Sequence, residues 1–164
     1  MTTRNVLNLP RGAVAAITDE VRDHGSVSQE TGGFLLAPVG DHTVSKVALA
    51  GRTGIVRHHN LLEISAIAID RLFTFADDNG LSSPALFHSH EQGRWLSLTD
   101  RQYGFRVEGF TSIVIPHFRA PSSEIGAWGW WTFEAGHWIS TRPLTLCQGF
   151  AQCLRFDEEG VRNA

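Results

Sequence analysis

Two histidines, His88 and His90, stand two residues apart at the end of the apolar segment Pro84–Phe87. The segment predicts a central β-strand, and side chains two residues apart in a strand point to the same face of the sheet. Both imidazoles can therefore converge on one ion, and imidazole nitrogen is a common ligand of zinc. Taken alone, however, such a pair is more often two polar residues at a strand end than a metal site.

A carboxylate follows at the start of the next predicted element. The segment Ser97-Leu98-Thr99-Asp100 begins a helix expected over 98–107, which places Asp100 within one turn of the helix start. The same spacing fits a capping box between Ser97 and Asp100. The two roles are compatible, because one carboxylate oxygen can bind a metal while its neighbour accepts a backbone N–H. Two histidines and one aspartate would leave one tetrahedral zinc position for water, as expected of a catalytic site.

Hydrolysis at such a zinc also needs a group that moves protons. Bound zinc lowers the pKa of water from ~16 toward ~7, but a base must still carry a proton to the leaving group. Glu30 is the upstream candidate, since it directly precedes Thr31-Gly32-Gly33 and the predicted buried strand Gly33–Ala37. The glycines would allow the backbone to approach closely. The alternative interpretation of Glu30 is an acid in a solvated loop.

These residues resemble the JAMM, or MPN-plus, metalloproteases, which remove ubiquitin or ubiquitin-like proteins from conjugates. The resemblance rests on Glu30-Thr31-Gly32-Gly33-Phe34-Leu35-Leu36 and on His88-Ser89-His90 followed by Gly93-Arg94-Trp95-Leu96-Ser97-Leu98-Thr99-Asp100. The order of predicted elements from about residue 4 to 140 matches as well. The fold that the resemblance implies is α/β (α+β), with an MPN-like (cytidine-deaminase-like) mixed β-sheet flanked by helices.

The resemblance also implies a role for each residue of the motif. One Zn²⁺ per chain would be bound by His88, His90 and Asp100. Glu30 would be the general acid/base, and Ser97 would donate a hydrogen bond to the tetrahedral oxyanion. The segment Glu91–Leu96 is one residue shorter than is usual in the family and lacks its proline. Trp95 in this loop is expected either to fill the core or to contact the extended tail of a substrate.

The function implied is a zinc-dependent isopeptidase or peptidase that cleaves after the C-terminal glycine of a ubiquitin-like protein. The small size is similar to that of prokaryotic members, which favours a bacterial ubiquitin-like conjugation or antiphage pathway. The partners would be a ubiquitin-like protein or its conjugate, with E1- and E2-like pathway proteins. The alternatives are a non-catalytic MPN-type scaffold and a sulfur-carrier-linked amide hydrolase.

The remaining elements define a domain over residues 1–140 and an extension over 141–164. A helix is predicted over residues 61–78 from apolar residues at helical spacing, with Asn60 and Glu63 as its capping pair. The extension has no counterpart in the resemblance, and its role is open. Its weak apolar stripe predicts a helix laid on the domain: Cys147, Phe150, Ala151 and Leu154.

The composition is that of one ordinary globular domain. The chain has 164 residues, 42% of them apolar and 19% charged, and a formal net charge of −3. These values exclude a disordered chain, a coiled coil and collagen. The weak negative charge argues against nucleic acid as a partner, because phosphate-binding domains carry a net basic surface. No stretch approaches the ~20 apolar residues of a membrane span or forms the apolar run of a signal peptide, so we expect a cytoplasmic protein.

Overall fold

The computed structural model describes residues 7–164, except for the side chain of Tyr103. The α-helices in this part of the chain are Arg11–Gly25 (α1), Ala66–Asp78 (α2) and Leu98–Tyr103 (α3). The strands in the first half are Asn8–Pro10 (β1), Gly32–Pro38 (β2), Lys46–Ala50 (β3), Ile55–Arg57 (β4), Leu62–Ile64 (β5) and Leu81–Ser89 (β6). The strands in the second half are Thr111–Ile115 (β7), Gly129–Glu134 (β8), His137–Ser140 (β9), Thr145–Cys147 (β10), Gln152–Asp157 (β11) and Gly160–Asn163 (β12).

Eight of the strands form one mixed sheet in the order β12-β11-β3-β2-β6-β7-β8-β9. β6 lies in the interior of this sheet, antiparallel to β2 and parallel to β7. Two smaller pairs lie outside it, the parallel pair β1–β10 and the antiparallel hairpin β4–β5. A large mixed sheet with helices packed on it is the α+β arrangement expected from the sequence.

The two long helices cover opposite faces of the sheet. α1 buries Val14, Ile17 and Val21 against the sheet residues that alternate toward its side, including Phe87 of β6. α2 buries Leu72 and its neighbouring alanines on the other face. Residues of a strand alternate between the two faces, so in the last part of β6, where Ala85 and Phe87 face α1, Leu86 and His88 face the side of α2.

The predicted helix over 61–78 begins later than expected, at Ala66. Its N-cap is Ser65, whose side chain accepts a hydrogen bond from the Ala68 backbone at 3.1 Å. The predicted capping pair of Asn60 and Glu63 is therefore wrong. Residues 62–64 are extended instead, because β5 pairs with β4 in an antiparallel hairpin.

The predicted helix in the extension is also wrong, because residues 141–164 form strands. β11 lies parallel to β3 in the main sheet, and Leu154 and Phe156 pack in the core beneath α2. These two side chains alternate with polar ones at the period of a strand. Gly149, with φ of +113°, interrupts any continuous helix through the predicted stripe.

Two local differences affect the surroundings of the histidines. α3 ends at Tyr103, before the predicted limit of residue 107. The segment directly before β8 forms a short 3-10 turn, Ile125–Ala127. In residues 7–164 no helix has both the length and the apolar character needed to cross a bilayer.

Candidate metal centre

The two histidines and the aspartate of the motif meet at the end of β6. The Nε2 atoms of His88 and His90 lie 3.1 Å apart. Oδ2 of Asp100 lies 3.1 Å from Nε2 of His88 and 3.3 Å from Nε2 of His90. Ligand atoms about 2.0–2.1 Å from a tetrahedral zinc are about 3.3 Å from one another, so the three atoms fit one such ion.

The position of Asp100 is set by the capping box of α3. Oγ of Ser97 accepts a hydrogen bond from the Asp100 backbone at 3.1 Å, and the Ser97 backbone donates one to Oδ2 of Asp100 at 2.8 Å. The sequence suggested that different oxygens would serve the cap and the metal. In the structure the same atom, Oδ2, accepts the Ser97 N–H and faces both imidazoles. The helix start therefore fixes the carboxylate where a cation would need it.

The charges of this group favour a bound cation. Burial would raise the pKa of Asp100, but its hydrogen bonds with His88, His90 and the Ser97 backbone hold that pKa far below its usual range. Burial lowers the pKa of His90, whereas its hydrogen bond to Asp100 and the nearby carboxyl of Glu30 raise it above the ordinary value. Asp100 thus remains a carboxylate at neutral pH, and the histidines face negative charge that a metal ion would neutralise.

Glu30 is buried beside this group and is not an acid in a solvated loop. Its relative exposure is 6%, and its backbone donates a hydrogen bond to the carbonyl of His58 at 2.8 Å. Burial raises the pKa of Glu30 to about 7, with the charge of Asp100 raising it and that of His90 lowering it. A carboxyl group with this pKa can both accept and donate a proton near neutral pH.

Glu30 is held in place through its neighbour, Thr31. The Ser89 backbone donates to the carbonyl of Thr31 at 2.9 Å, and the Thr31 backbone donates to Oγ of Ser89 at 2.9 Å. Both residues are fully buried. Because Ser89 lies between His88 and His90, these bonds connect the segment directly before β2, which carries Glu30, to the end of β6, where the histidines lie.

Arg57 of β4 supplies a further connection that the sequence analysis did not identify. Its Nε donates to Oγ1 of Thr31 at 3.2 Å, and its two terminal nitrogens donate to the carbonyls of Gly51 and Ala50, both at 2.7 Å. Burial lowers the pKa of Arg57 from its ordinary value. No local pattern around Arg57 indicates this role, because all its partners lie in other elements of the fold.

Gly32 keeps the floor of the site clear beside His88, its partner across β2 and β6. A Cβ at Gly32 would lie 2.4 Å from the carbonyl oxygen of Phe87 and 2.8 Å from the side chain of Leu62. Any larger residue would therefore push apart β6 and the β4–β5 hairpin, which closes over this floor.

The group opens into a cleft of about 360 Å³. Glu30, Ser97 and Asp100 line its polar end together with the two histidines. Ser97 is exposed, and its hydroxyl oxygen already accepts the Asp100 N–H. The cleft therefore brings together all five residues that the sequence analysis assigned to metal binding and catalysis.

Trp95 does not fill the core, because 64% of its surface is exposed. Its indole lies over Gly93, where a Cβ would be 3.1 Å from the ring. The carbonyl of Arg94 accepts a hydrogen bond from the Trp131 indole at 3.1 Å, which holds the loop against β8. Of the two expected roles of Trp95, filling the core is wrong, and contact with a substrate remains a prediction.

The comparisons with known proteins concern the fold. No protein-family model and no curated protein matches the sequence. The solution structure of protein DSY2949 from Desulfitobacterium hafniense is similar with a TM-score of 0.60 and 15% identity, over 88% of this chain and 94% of that one. The crystal structure of AF2198, a JAB1/MPN domain protein from Archaeoglobus fulgidus, is similar with a TM-score of 0.52 and 12% identity, over 87% of this chain and 98% of that one. The chain thus has an MPN-like fold, with a His88-His90-Asp100 group that could hold a metal ion.

Proposed function

We propose that the protein is a zinc-dependent isopeptidase or peptidase that cleaves after the C-terminal glycine of a ubiquitin-like protein. The observation that carries the proposal is the meeting of His88, His90 and Asp100 within 4.8 Å, beside the buried carboxyl of Glu30. A metal-binding group with an adjacent acid of raised pKa is the minimum that amide hydrolysis by a metal-activated water requires.

Each residue of the cleft has a distinct task in this proposal. His88, His90 and Asp100 bind the zinc, which supplies Lewis acidity when it is present. Glu30 would accept a proton from the water that attacks the amide carbonyl and would donate it to the nitrogen that leaves as the C–N bond breaks, which its pKa of about 7 permits.

Ser97 stabilises the oxyanion of the tetrahedral intermediate. Its oxygen accepts the Asp100 N–H, and a hydroxyl that accepts one hydrogen bond keeps its own proton for donation. A donor fixed before the reaction begins needs no reorganisation as negative charge develops on the substrate.

The substrate class follows from the resemblance to the JAMM metalloproteases. A ubiquitin-like protein presents an extended tail, and Trp95 on the exposed loop of residues 91–96 would form one wall of its path. The small domain is similar to prokaryotic members of that family, so we place it in a bacterial conjugation or antiphage pathway with E1- and E2-like proteins, in the cytoplasm. Cleavage would either release the ubiquitin-like protein from a lysine or process its precursor.

A non-catalytic MPN scaffold is the principal alternative. A scaffold that only binds partners does not need a buried carboxyl of raised pKa beside three convergent ligand atoms. The presence of both features therefore favours an enzyme. A sulfur-carrier-linked amide hydrolase would use the same residues on another substrate.

The test is cleavage of bacterial ubiquitin-like proteins that are fused through their C-terminal glycine to a reporter protein. The chain is assayed as purified, after zinc removal by a chelator, and after zinc is restored. We expect cleavage that is lost with the metal and regained with it, and a slower reaction on the isolated tail peptide. Bound zinc without any cleavage would favour the scaffold, and equal rates on peptide and fusion would indicate a general peptidase.

A further inference from the structure

The cleft has a second, apolar compartment beyond the metal-ligand group. We call this compartment the apolar chamber. It is lined by Phe34, Leu62, Ile64, Ile69, Leu86 and Phe105. The whole cleft measures about 360 Å³, within the range of roughly 300–1,000 Å³ that is typical of ligand pockets. Such pockets commonly combine an apolar lining with a few convergent polar groups.

The strand register places the chamber directly next to the histidines. Leu86 precedes His88 by two residues on β6, so both side chains face the same side of the sheet, about 7 Å apart. Phe34 of β2 and Ser112 of β7 are the residues paired with Leu86 on either side. The floor of the cleft therefore changes from polar at His88 to apolar at Leu86, two residues away on β6.

The chamber is not closed by the elements that cover this face of the sheet. Phe34 of β2 is fully buried beneath α2, in the same cluster as Leu72 of that helix, as expected for an interior sheet. Leu86 also belongs to an interior strand, but it is only partly buried, as are Ile64 and Ile69 above it. Apolar surface next to the candidate metal centre is thus left available to an occupant.

We propose that the apolar chamber is a side-chain pocket, so that the substrate carries a bulky apolar side chain of the leucine or phenylalanine type within two residues of the scissile bond. An extended chain advances about 3.3 Å per residue, so two residues cover the distance from His88 to Leu86. Charged side chains are excluded, because the chamber offers them no partner to offset desolvation. This inference rests on the proposed function and specifies its substrate.

The direct test is a methyl NMR titration that needs neither zinc nor turnover. The probes are N-acetyl-leucine methylamide and its glycine and aspartate analogues, added to protein labelled in its isoleucine and leucine methyl groups. We expect the leucine probe to shift the methyl signals of Ile64, Ile69 and Leu86 and to bind at least about tenfold more tightly than the glycine probe. Equal binding of the two probes, or shifts that avoid these residues, would overturn the proposal.

Two substitutions on α2 form a matched pair for the same experiment. Ile69→Trp fills the chamber, whereas Ile67→Trp adds the same indole at a position that is 55% exposed and outside the cleft. We expect the first variant to lose the preference for leucine and the second to keep it. Thermal unfolding checks that both are folded, and Ile69→Phe replaces the first variant if the tryptophan prevents folding. Loss of the preference in both variants, or in neither, would contradict the assignment.

The outcomes separate this inference from the proposed function. Binding of the leucine probe in the chamber by a protein that shows no zinc-dependent hydrolysis would keep the pocket and refute the function. Zinc-dependent cleavage at equal rates of tails with glycine, leucine or aspartate within two residues of the cut would keep the function and refute the pocket.

Discussion

Ser89 and Thr31 exchange two hydrogen bonds of 2.9 Å, one from the Ser89 N–H to the Thr31 carbonyl and one from the Thr31 N–H to the Ser89 hydroxyl, where the segment of Glu30 meets the end of β6. Both residues are fully buried, so loss of the Ser89 hydroxyl would leave the Thr31 N–H without a partner or access to water. We expect Ser89→Ala to lower the free energy of unfolding by about 1–3 kcal/mol. Chemical denaturation measures this, with Ser82→Ala, an exposed position of the same strand, as the control. Equal stability of the two variants would show that the hydrogen bond contributes nothing.

Zinc binding is predicted to depend on His88. Elemental analysis of protein purified without chelator should find one equivalent of zinc per chain, and His88→Ala should retain less than about a tenth, because the affinity of a metal site depends on its full set of ligands. His58→Ala, at an exposed histidine outside the group, should bind as the wild type does. A wild-type protein that takes up no added zinc would refute the metal site altogether.

Glu30→Gln is predicted to separate metal binding from turnover. The amide keeps the size of the side chain and removes its proton exchange, so we expect kcat to fall at least ~100-fold while zinc content is unchanged. Glutamine also cannot titrate, so the pH profile should lose the ionisation that Glu30 contributes. A variant that retains wild-type kcat would assign the proton transfer to another group.

Ser97→Ala removes both the proposed oxyanion donor and the N-cap of α3. We expect kcat to fall roughly 10- to 1000-fold because the donor is missing. We also expect the free energy of unfolding to fall by about 1 kcal/mol because the cap is missing. Ser65→Ala is the matched control, since it removes the N-cap of α2, whose hydrogen bond to Ala68 is also 3.1 Å. A comparable loss of kcat in both variants would mean that Ser97 acts only through the helix start.

The acid stability of the fold is predicted to depend on Glu20, which is buried on α1. Burial would raise its pKa, but hydrogen bonds from Arg155 and His24 lower it to about 2, from an ordinary value of 4.5. A lowered pKa stabilises the fold above the unfolded value, so this contribution is complete above pH 4.5 and is lost as the pH falls toward 2.

The measurement is the difference in unfolding free energy between wild type and Glu20→Gln across that range. It should be on the order of 3 kcal/mol at neutral pH and decline toward zero near pH 2. The difference itself is the readout, because other carboxylates, including Asp157, also have lowered pKa values and affect both proteins equally. If the difference in unfolding free energy between the two proteins does not change with pH, the ionised carboxylate of Glu20 does not stabilise the fold through Arg155.

The parts of the site that were predictable from the sequence are local. His88 and His90 share a face because they are two residues apart, and Asp100 is fixed by a capping box that spans Ser97–Asp100. Both relationships depend only on spacing within one element. The raised pKa of Glu30 does not depend on local spacing, because its segment is held by the end of β6 and by the turn between β4 and β5, which meet only in the folded chain.

Arg57 shows why the remainder was not predictable. Its hydrogen bonds end on Thr31, directly before β2, and on the carbonyls at the end of β3, and only the assembled topology brings these segments together. The segments 55–57 and 62–64 are each three residues long, too short for a period-2 pattern to be distinguished from a loop. The helix predicted in the extension over 141–164 was wrong for a related reason. Cys147, Phe150 and Leu154 fall at helical spacing by chance, across a turn and two strands.

The pairing of β11 with β3 has a consequence for the behaviour of the protein in solution. β3 is almost entirely apolar, with Val47, Ala48 and Leu49 in its centre, and β11 covers its hydrogen-bonding edge along its full length. Without that cover, an apolar strand with unpaired N–H and C=O groups would face the solvent, the arrangement that promotes edge-to-edge aggregation. The C-terminal strands therefore cover this apolar edge and place the antiparallel β12, with Arg162 and Asn163, at the outer edge of the sheet instead.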